Sequence, residues 1–409
     1  MSWSLKRTFL SLRNRNFRLF FIGQLISNTG NWLTNVAITL FILKLTHSGL
    51  AVGIVAACQY GPTLFLSAWG GAIADRSNKR RALLLTQILE MLQSIALAIL
   101  AFMPHTSIIW LYIIAAVGGI VLAFDNPLRR SFVSEMVPES DIPNAVVLYS
   151  MIVNISRLFG PALAGLLIVL LGYGWCFSID AATYLFVLAC LWMMRPQELY
   201  RLPPRKRAPN EIREGLRYVI ANPILWISFT MLAVIGTLAY NLSITLPLLI
   251  TVGLHSTVSA FTIVYSIFSL GAVVSSLVIA HWGLVQLQHV ILGALLFGIS
   301  MLFLAAAPNV PIAALAGFLI GATSVLYMTA STAIIQMGTK REMHGRLLAL
   351  QFILLAGTSL IGGPLYGWLA DVFGARTPIV FGGIVCLVAS GFGLIMKKIF
   401  TSTKIVQLL

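Results

Sequence analysis

Four ionisable side chains stand inside long apolar runs: Glu90, Asp125, Arg157 and Asp180. In hydrocarbon such groups are costly, and each is by default a functional candidate. A buried carboxylate can take up or release a proton as its surroundings change, which makes Glu90, Asp125 and Asp180 the candidates for proton binding. Arg157 cannot readily discharge and needs an acid, a row of carbonyls or an anionic ligand; Glu90 and Asp180 are the acids that could pair with it. Structural pairing and a role in substrate or proton binding both fit these residues. A polar row accompanies them early in the chain, Gln24, Asn28, Asn31, Thr34 and Asn35, in which Asn28, Asn31 and Asn35 share one face by helical spacing. In lipid such amides would leave donors unsatisfied, so the row must face other helices or water. Enzyme chemistry is not expected. The six His fall in loops or at the ends of apolar runs, no H-E-x-x-H or G-x-x-x-x-G-K-[ST] occurs, and Cys58, Cys176, Cys190 and Cys386 lack C-x-x-C spacing. No metal and no cofactor is implied.

The elements that must position these residues follow from composition. Of 409 residues 59% are hydrophobic and 10% charged, with mean hydropathy +0.93, far from the quarter charged of soluble domains. Apolar runs predict an all-α membrane protein with twelve spans, near 18–45, 50–73, 82–102, 108–127, 143–171, 175–194, 223–250, 258–281, 289–307, 310–337, 346–371 and 377–397. The first run follows Arg13, Arg15 and Arg18 and lacks a small-x-small cleavage site, so it reads as a span rather than a signal peptide. With the N-terminus inside, all of the 27 Lys and Arg except Lys44, Arg157 and Arg376 fall on the cytoplasmic side. That asymmetry places both termini in the cytoplasm. It also accounts for most of the +15 net charge, through topology and contact with anionic membrane lipids rather than nucleic acid.

The chain divides into an N-terminal six-helix bundle (1–194), a central loop (195–222) and a C-terminal six-helix bundle (223–409). In the central loop, Pro196, Pro203, Pro204 and Pro209 precede a stretch with Ile212, Leu216, Val219 and Ile220 on one face, which predicts a helix lying on the membrane surface. The halves share sequence in register. NVAITLFIL at 35–43 matches NLSITLPLL at 241–249 in five of nine positions, Gly30 pairs with Gly236 at the same offset, and Gly160-Pro161 pairs with Gly363-Pro364. Six crossings separate the partners, so this is a parallel repeat with a pseudo-two-fold axis along the membrane normal and substrate near the midplane.

After the second span the sequence reads GGAIADRSNKRRALL. This resembles the major facilitator superfamily signature G-x-L-A-D-R-x-G-R-R, borne by Gly71, Ile73, Ala74, Asp75, Arg76, Lys79 and Arg80, with Asn78 in place of the usual glycine. The runs ISRLFGPALAG, VPESDIPNAVVLYSMIVN and NEIREGLRYV are similar to the enterobactin-exporter-like branch. The resemblance implies that this loop is a conformational latch: Asp75 faces the start of the eleventh span near Gly345–Leu348, and Lys79 or Arg80 reaches Asp125. The matching loop of the second half, His281–His289, has no acid and no Lys or Arg, so the latch is expected in the first half only. Gly160, Pro161, Ala164 and Gly165 resemble the fifth-span motif of antiporters, with Ser156 in place of its upstream glycine, and are expected to pack against the eighth span. The family also implies a cavity between spans 1, 4, 7 and 10, which adds Tyr240 and Asn241 and, in the tenth span, Tyr327 to the substrate candidates. The implied function is proton-coupled export of an amphipathic small molecule, a siderophore or drug, across the bacterial inner membrane by a monomer. Uptake symport or movement of a lipid-like solute is the alternative.

Overall fold

The structure is a computed structural model that describes residues 9–200, 211–282, 286–337, 339 and 341–406; within these the side chains of a few, including Asp75, are not described. All regular structure among the described residues is helical. In chain order the helices are α1 (Arg15–Thr46), α2 (Gly49–Arg76), α3 (Lys79–Phe102), α4 (Ile108–Val133), α5 (Ile142–Leu171), α6 (Tyr173–Trp192), α7 (Glu211–Ala221), α8 (Pro223–Leu238), α9 (Leu242–Pro247), α10 (Val258–Trp282), α11 (Leu287–Ala305), α12 (Val310–Met337), α13 (Arg341–Phe373) and α14 (Thr377–Val406). Each expected span coincides with one of them, the seventh with α8 and α9 together. Among the described residues ten spans are long and apolar enough by composition to cross a membrane. The remaining two expected spans are α1 and α13, each over thirty residues long and more polar.

The seventh span is broken at Ala239–Asn241 and loosens into a π-turn at Leu248–Gly253. Such breaks free a carbonyl that needs a new donor. The Tyr366 hydroxyl supplies it, donating to the Leu238 carbonyl.

The chain forms two compact units, Met1–Leu45 with Cys58–Lys206, and Thr46–Ala57 with Arg207–Leu409. In the first unit a single apolar cluster joins Phe17 and Phe20 at the start of α1, Ala74 at the end of α2, Leu83 at the start of α3, Leu128, Phe132 and Val133 at the end of α4, Ala145 and Leu148 at the start of α5, and Leu191 at the end of α6. Starts of odd helices meet ends of even ones, so the six alternate in direction. The same end of this unit carries Arg15, Arg18, Arg76, Arg80, Arg81, Arg130 and Arg195.

Helix α3 shows how one sequence makes two faces. Thr86, Gln87, Glu90 and Ser94 recur at helical spacing and are buried, while Leu85, Ile88, Leu89, Leu92 and Ile99 are exposed. Polar-in and apolar-out is the pattern that lipid demands. Within the expected central loop 195–222, residues Glu211–Ala221 form α7. Val219 of α7 is buried, Leu216 and Ile220 are exposed, and residues 201–210 and the Ile212 side chain lie outside what is described. Arg346 at the start of α13 pairs with Glu214 of α7.

Candidate functional site

The interior of the first unit holds a charged network. Helix α4 runs on through Pro127 to Val133, which carries Arg129 into the bundle, where it is buried. This corrects its assignment as a loop cation. One turn earlier on the same helix stands Asp125, paired with the Arg129 Nε. The guanidinium also donates from Nη2 to Glu90 Oε2 at 2.8 Å and from Nη1 to Gln24 Oε1 at 2.9 Å. Gln87 donates to Asp125 Oδ1 at 2.9 Å and to Glu90 Oε2 at 3.1 Å, and Thr86 donates to Asp125 Oδ1 at 2.7 Å. A second carboxylate site lies further along the bundle. Asp180 of α6 accepts from Thr34 of α1 at 2.6 Å and from Ser94 of α3 at 2.7 Å. The three acids and Arg129 are each at most 4% exposed. Such burial is tolerated only where the groups pair and satisfy one another.

Two sequence expectations are corrected here. The acids expected to pair with Arg157 are engaged elsewhere, Glu90 by Arg129 and Asp180 by hydroxyls. Arg157 on α5 is only half-buried, and Arg129 is the arginine of the interior. Gln87, Thr86, Ser94 and Arg129 escaped the sequence reading. Two local signals existed, the i, i+4 pair Asp125–Arg129 and the polar face of α3.

The loop after α2 is also wired differently from the resemblance. Asn78 replaces the usual glycine and acts as the cap of α3, its side-chain oxygen accepting from Arg81 N at 3.2 Å. Lys79 pairs with Glu135 rather than Asp125. Arg80 lays its guanidinium on the last carbonyls of α6, Nε on Leu191 at 2.7 Å and Nη2 on Trp192 at 2.8 Å. An arginine there satisfies acceptors that the helix end leaves open. Gly71 is buried and Arg76 exposed. The Asp75 side chain lies outside what is described, and so does the expected contact of this acid with the eleventh span.

Asn28, Asn31 and Asn35 of the amide row of α1 are half-buried and bonded along the helix. Asn28 donates to the Gln24 carbonyl at 2.8 Å, Asn35 donates to Asn31 Oδ1 at 2.9 Å, and Gln59 of α2 donates to Asn35 Oδ1 at 2.7 Å, with the Tyr60 hydroxyl at 3.3 Å. In the second unit Tyr240 is half-buried, Asn241 is buried and bonded to the Thr237 carbonyl at 3.2 Å, and Tyr327 is fully buried where α12 crosses Gly293 of α11. On α5, Gly160, Pro161, Ala164 and Gly165 are buried in a continuous helix. Gly160 admits α1 of the same unit: a Cβ at Gly160 would overlap Trp32. Ser156 follows the same seam, its hydroxyl accepting from Thr29 at 3.2 Å.

The chain matches the family described as transmembrane secretion effector over residues 6–404. It is similar to the staphyloferrin A transporter of Staphylococcus aureus, at 28% identity over 93% of this chain and 96% of that protein. It is also similar to the enterobactin exporter of Salmonella typhimurium, at 24% identity over 97% of this chain and 93% of that one. Among solved structures, a bacterial homolog of the human lysosomal transporter Spinster in an inward-facing, unoccupied conformation superposes with a TM-score of 0.74 at 16% identity, covering 95% of this chain and 98% of that one. The POT family transporter PepTSo superposes with a TM-score of 0.76 at 13% identity, covering 95% and 99%.

Proposed function

Since the chain belongs to the transmembrane secretion effector family of the major facilitator superfamily, we propose that it is a secondary active transporter that carries an amphipathic siderophore out of the cytoplasm in exchange for protons, by alternating access. The observation that carries the coupling part is the charge count inside the first unit. Asp125, Glu90 and Asp180 are buried with one guanidinium, Arg129, among them. Arg129 offsets one negative charge; the others are neutral only as carboxylic acids, so the set has room for protons that a change of surroundings can expel. Export is the direction because the fifth-span residues Gly160, Pro161, Ala164 and Gly165 follow the antiporter pattern and because one relative is an exporter by name.

In the first unit the half-buried amides Asn28, Asn31, Asn35 and Gln59, with Tyr60, are the proposed substrate contacts. Amides both donate and accept, which suits a solute rich in hydroxyl and carboxylate oxygens. The topology proposed with this reading is two six-helix halves, 1–194 and 223–409, joined through 195–222, with both termini in the cytoplasm of a bacterial inner membrane. The side of the basic residues supports it.

Everted membrane vesicles test the proposal. With radiolabelled staphyloferrin A or enterobactin outside, acidifying the lumen drives accumulation if the protein is a proton antiporter for such solutes. Accumulation confined to right-side-out vesicles would mean uptake instead, and accumulation indifferent to either proton gradient would end the coupling claim.

A further inference from the structure

The signature run at the end of α2 has a second copy at the end of α13. Gly71, Ala74, Asp75 and Arg80 recur at the same spacing as Gly367, Ala370, Asp371 and Arg376, and Gly374 stands where Asn78 replaces the usual glycine. The two copies share geometry as well as letters. Arg80 takes the final carbonyls of α6, and Arg376 takes those that end α11, Nη1 on Ala305 at 3.1 Å and Nη2 on Ala307 at 2.9 Å.

In the second copy the acid is fully engaged. Asp371 Oδ2 accepts from the Ser48 hydroxyl at 2.6 Å and from Leu50 N at 3.0 Å, and its Oδ1 accepts from Gly49 N at 2.6 Å. Gly49 N and Leu50 N are the first donors of the 28-residue helix α2, where an anion is favoured by the open N–H groups and the helix dipole together. His47 turns the chain into this cap with a left-handed φ of 52°. Below the cap the backbones of α2 and α13 pass with no room for side chains: a Cβ at Gly53 would overlap the Gly363 carbonyl, and one at Gly367 the Gly49 carbonyl. Ser48–Ala57 and α13 belong to one compact unit, yet α2 continues from Cys58 into the other. The related end of α5 has the same left-handed glycine, Gly172, but its last turn, Ile168–Leu171, is apolar and offers no acid.

We propose that Asp371 and Arg376 are positioning residues of the transport cycle, a second latch about 40 Å along α2 from the Asp75–Arg80 loop, which holds the start of α2 on α13 and must let go once per turnover. The glycine seam gives the start of α2 a flat surface to leave and return to. Arg376 anchors the end of α13 to α11, so that the carboxylate stays aimed when α2 departs. The role in turnover rests on the transport reading; the latch itself does not.

The test uses the full chain with Cys58→Ser, in right-side-out and inverted vesicles. Val52→Cys reports the start of α2, because Val52 is buried beneath the latch, and Ser77→Cys reports its other end. A membrane-impermeant maleimide measures both. Adding Asp371→Asn should raise the labelling rate at position 52 about five-fold, the loss expected when an anion's charge is removed from a helix N-terminus, while labelling at position 77 changes in the opposite sense. Gly367→Ala, which wedges the seam, should act in the same direction. Unchanged labelling at position 52 in a D371N protein of normal thermal midpoint would overturn the latch. A rise at position 52 with none of the opposed change at 77 would reduce Asp371 to a local helix cap and equally overturn it. Labelling requires neither substrate nor gradient, so a failed siderophore assay would sink the proposed function and leave this result standing.

Discussion

The two units solve the same packing problem with different interiors. The first buries Lys79, Glu90, Asp125, Arg129, Glu135 and Asp180, whereas the second, among the described residues, buries no charged side chain and relies on Asn241, Thr245, Ser269, Ser331 and Gln351. Ser269 and Ser390 satisfy themselves locally, donating to carbonyls one turn back in their own helices, at 3.0 and 2.8 Å. Arg129 instead needs three helices to satisfy it, α1, α3 and its own α4. The difference teaches that a related fold can be neutral inside in one half and charged inside in the other. On the proposed reading, proton coupling belongs to the charged half.

The comparison is broken or sharpened by four substitutions. The largest effect belongs to Arg129→Met, which leaves Asp125 and Glu90 without their cation; loss of about 3–5 kcal/mol is expected for breaking a buried pair, read as a sharply lower thermal midpoint in detergent and no transport. Glu90→Gln comes next. It keeps hydrogen-bonding capacity and removes the charge, so substrate exchange at equal concentrations should persist while gradient-driven accumulation collapses; full accumulation in this variant would remove Glu90 from the coupling set. In the second unit, Gln351→Leu strips a buried amide from Thr332, to which it donates at 3.0 Å. That should cost about 1 kcal/mol and leave the response to protons intact. Coupling lost in Q351L as in E90Q would refute the division between halves. Asn78→Gly has the smallest expected effect, a few tenths of a kcal/mol, since glycine is nearly as good a cap; a large loss of transport would show that Asn78 does more than start α3.

The legible part of this chain was whatever lipid imposes on a linear sequence. Each expected span coincides with helix because apolar length and charged punctuation set it, and Glu90, Asp125 and Asp180 stood out as acids in apolar runs. Arg129 did not. It follows Pro127 and precedes Arg130, and two arginines after a proline read as a cytoplasmic loop until the helix is seen to continue to Val133. Its partner Glu90 lies on another helix, and that proximity is a tertiary fact which no periodicity encodes. The same limit hid Glu135, just past the end of α4, as the partner of Lys79 at the start of α3. At the end of α13 the letters were present, but the sequence reading looked for a second latch in the His281–His289 loop, of which residues 283–285 lie outside the described structure.

The division of α2 between the two units bears on how the chain can be taken apart. A gene cut within 201–210 would leave Thr46–Ala57 on the first fragment, although those turns complete the packing of the second. The second fragment made alone would present the bare backbone of Gly363 and Gly367 and a carboxylate, Asp371, with no helix to cap. Its stability would then depend on the concentration of the other piece, as for any fold completed by a partner. Co-expressed halves should therefore rescue each other, and a second half extended by a grafted copy of residues 46–57 should need that rescue less.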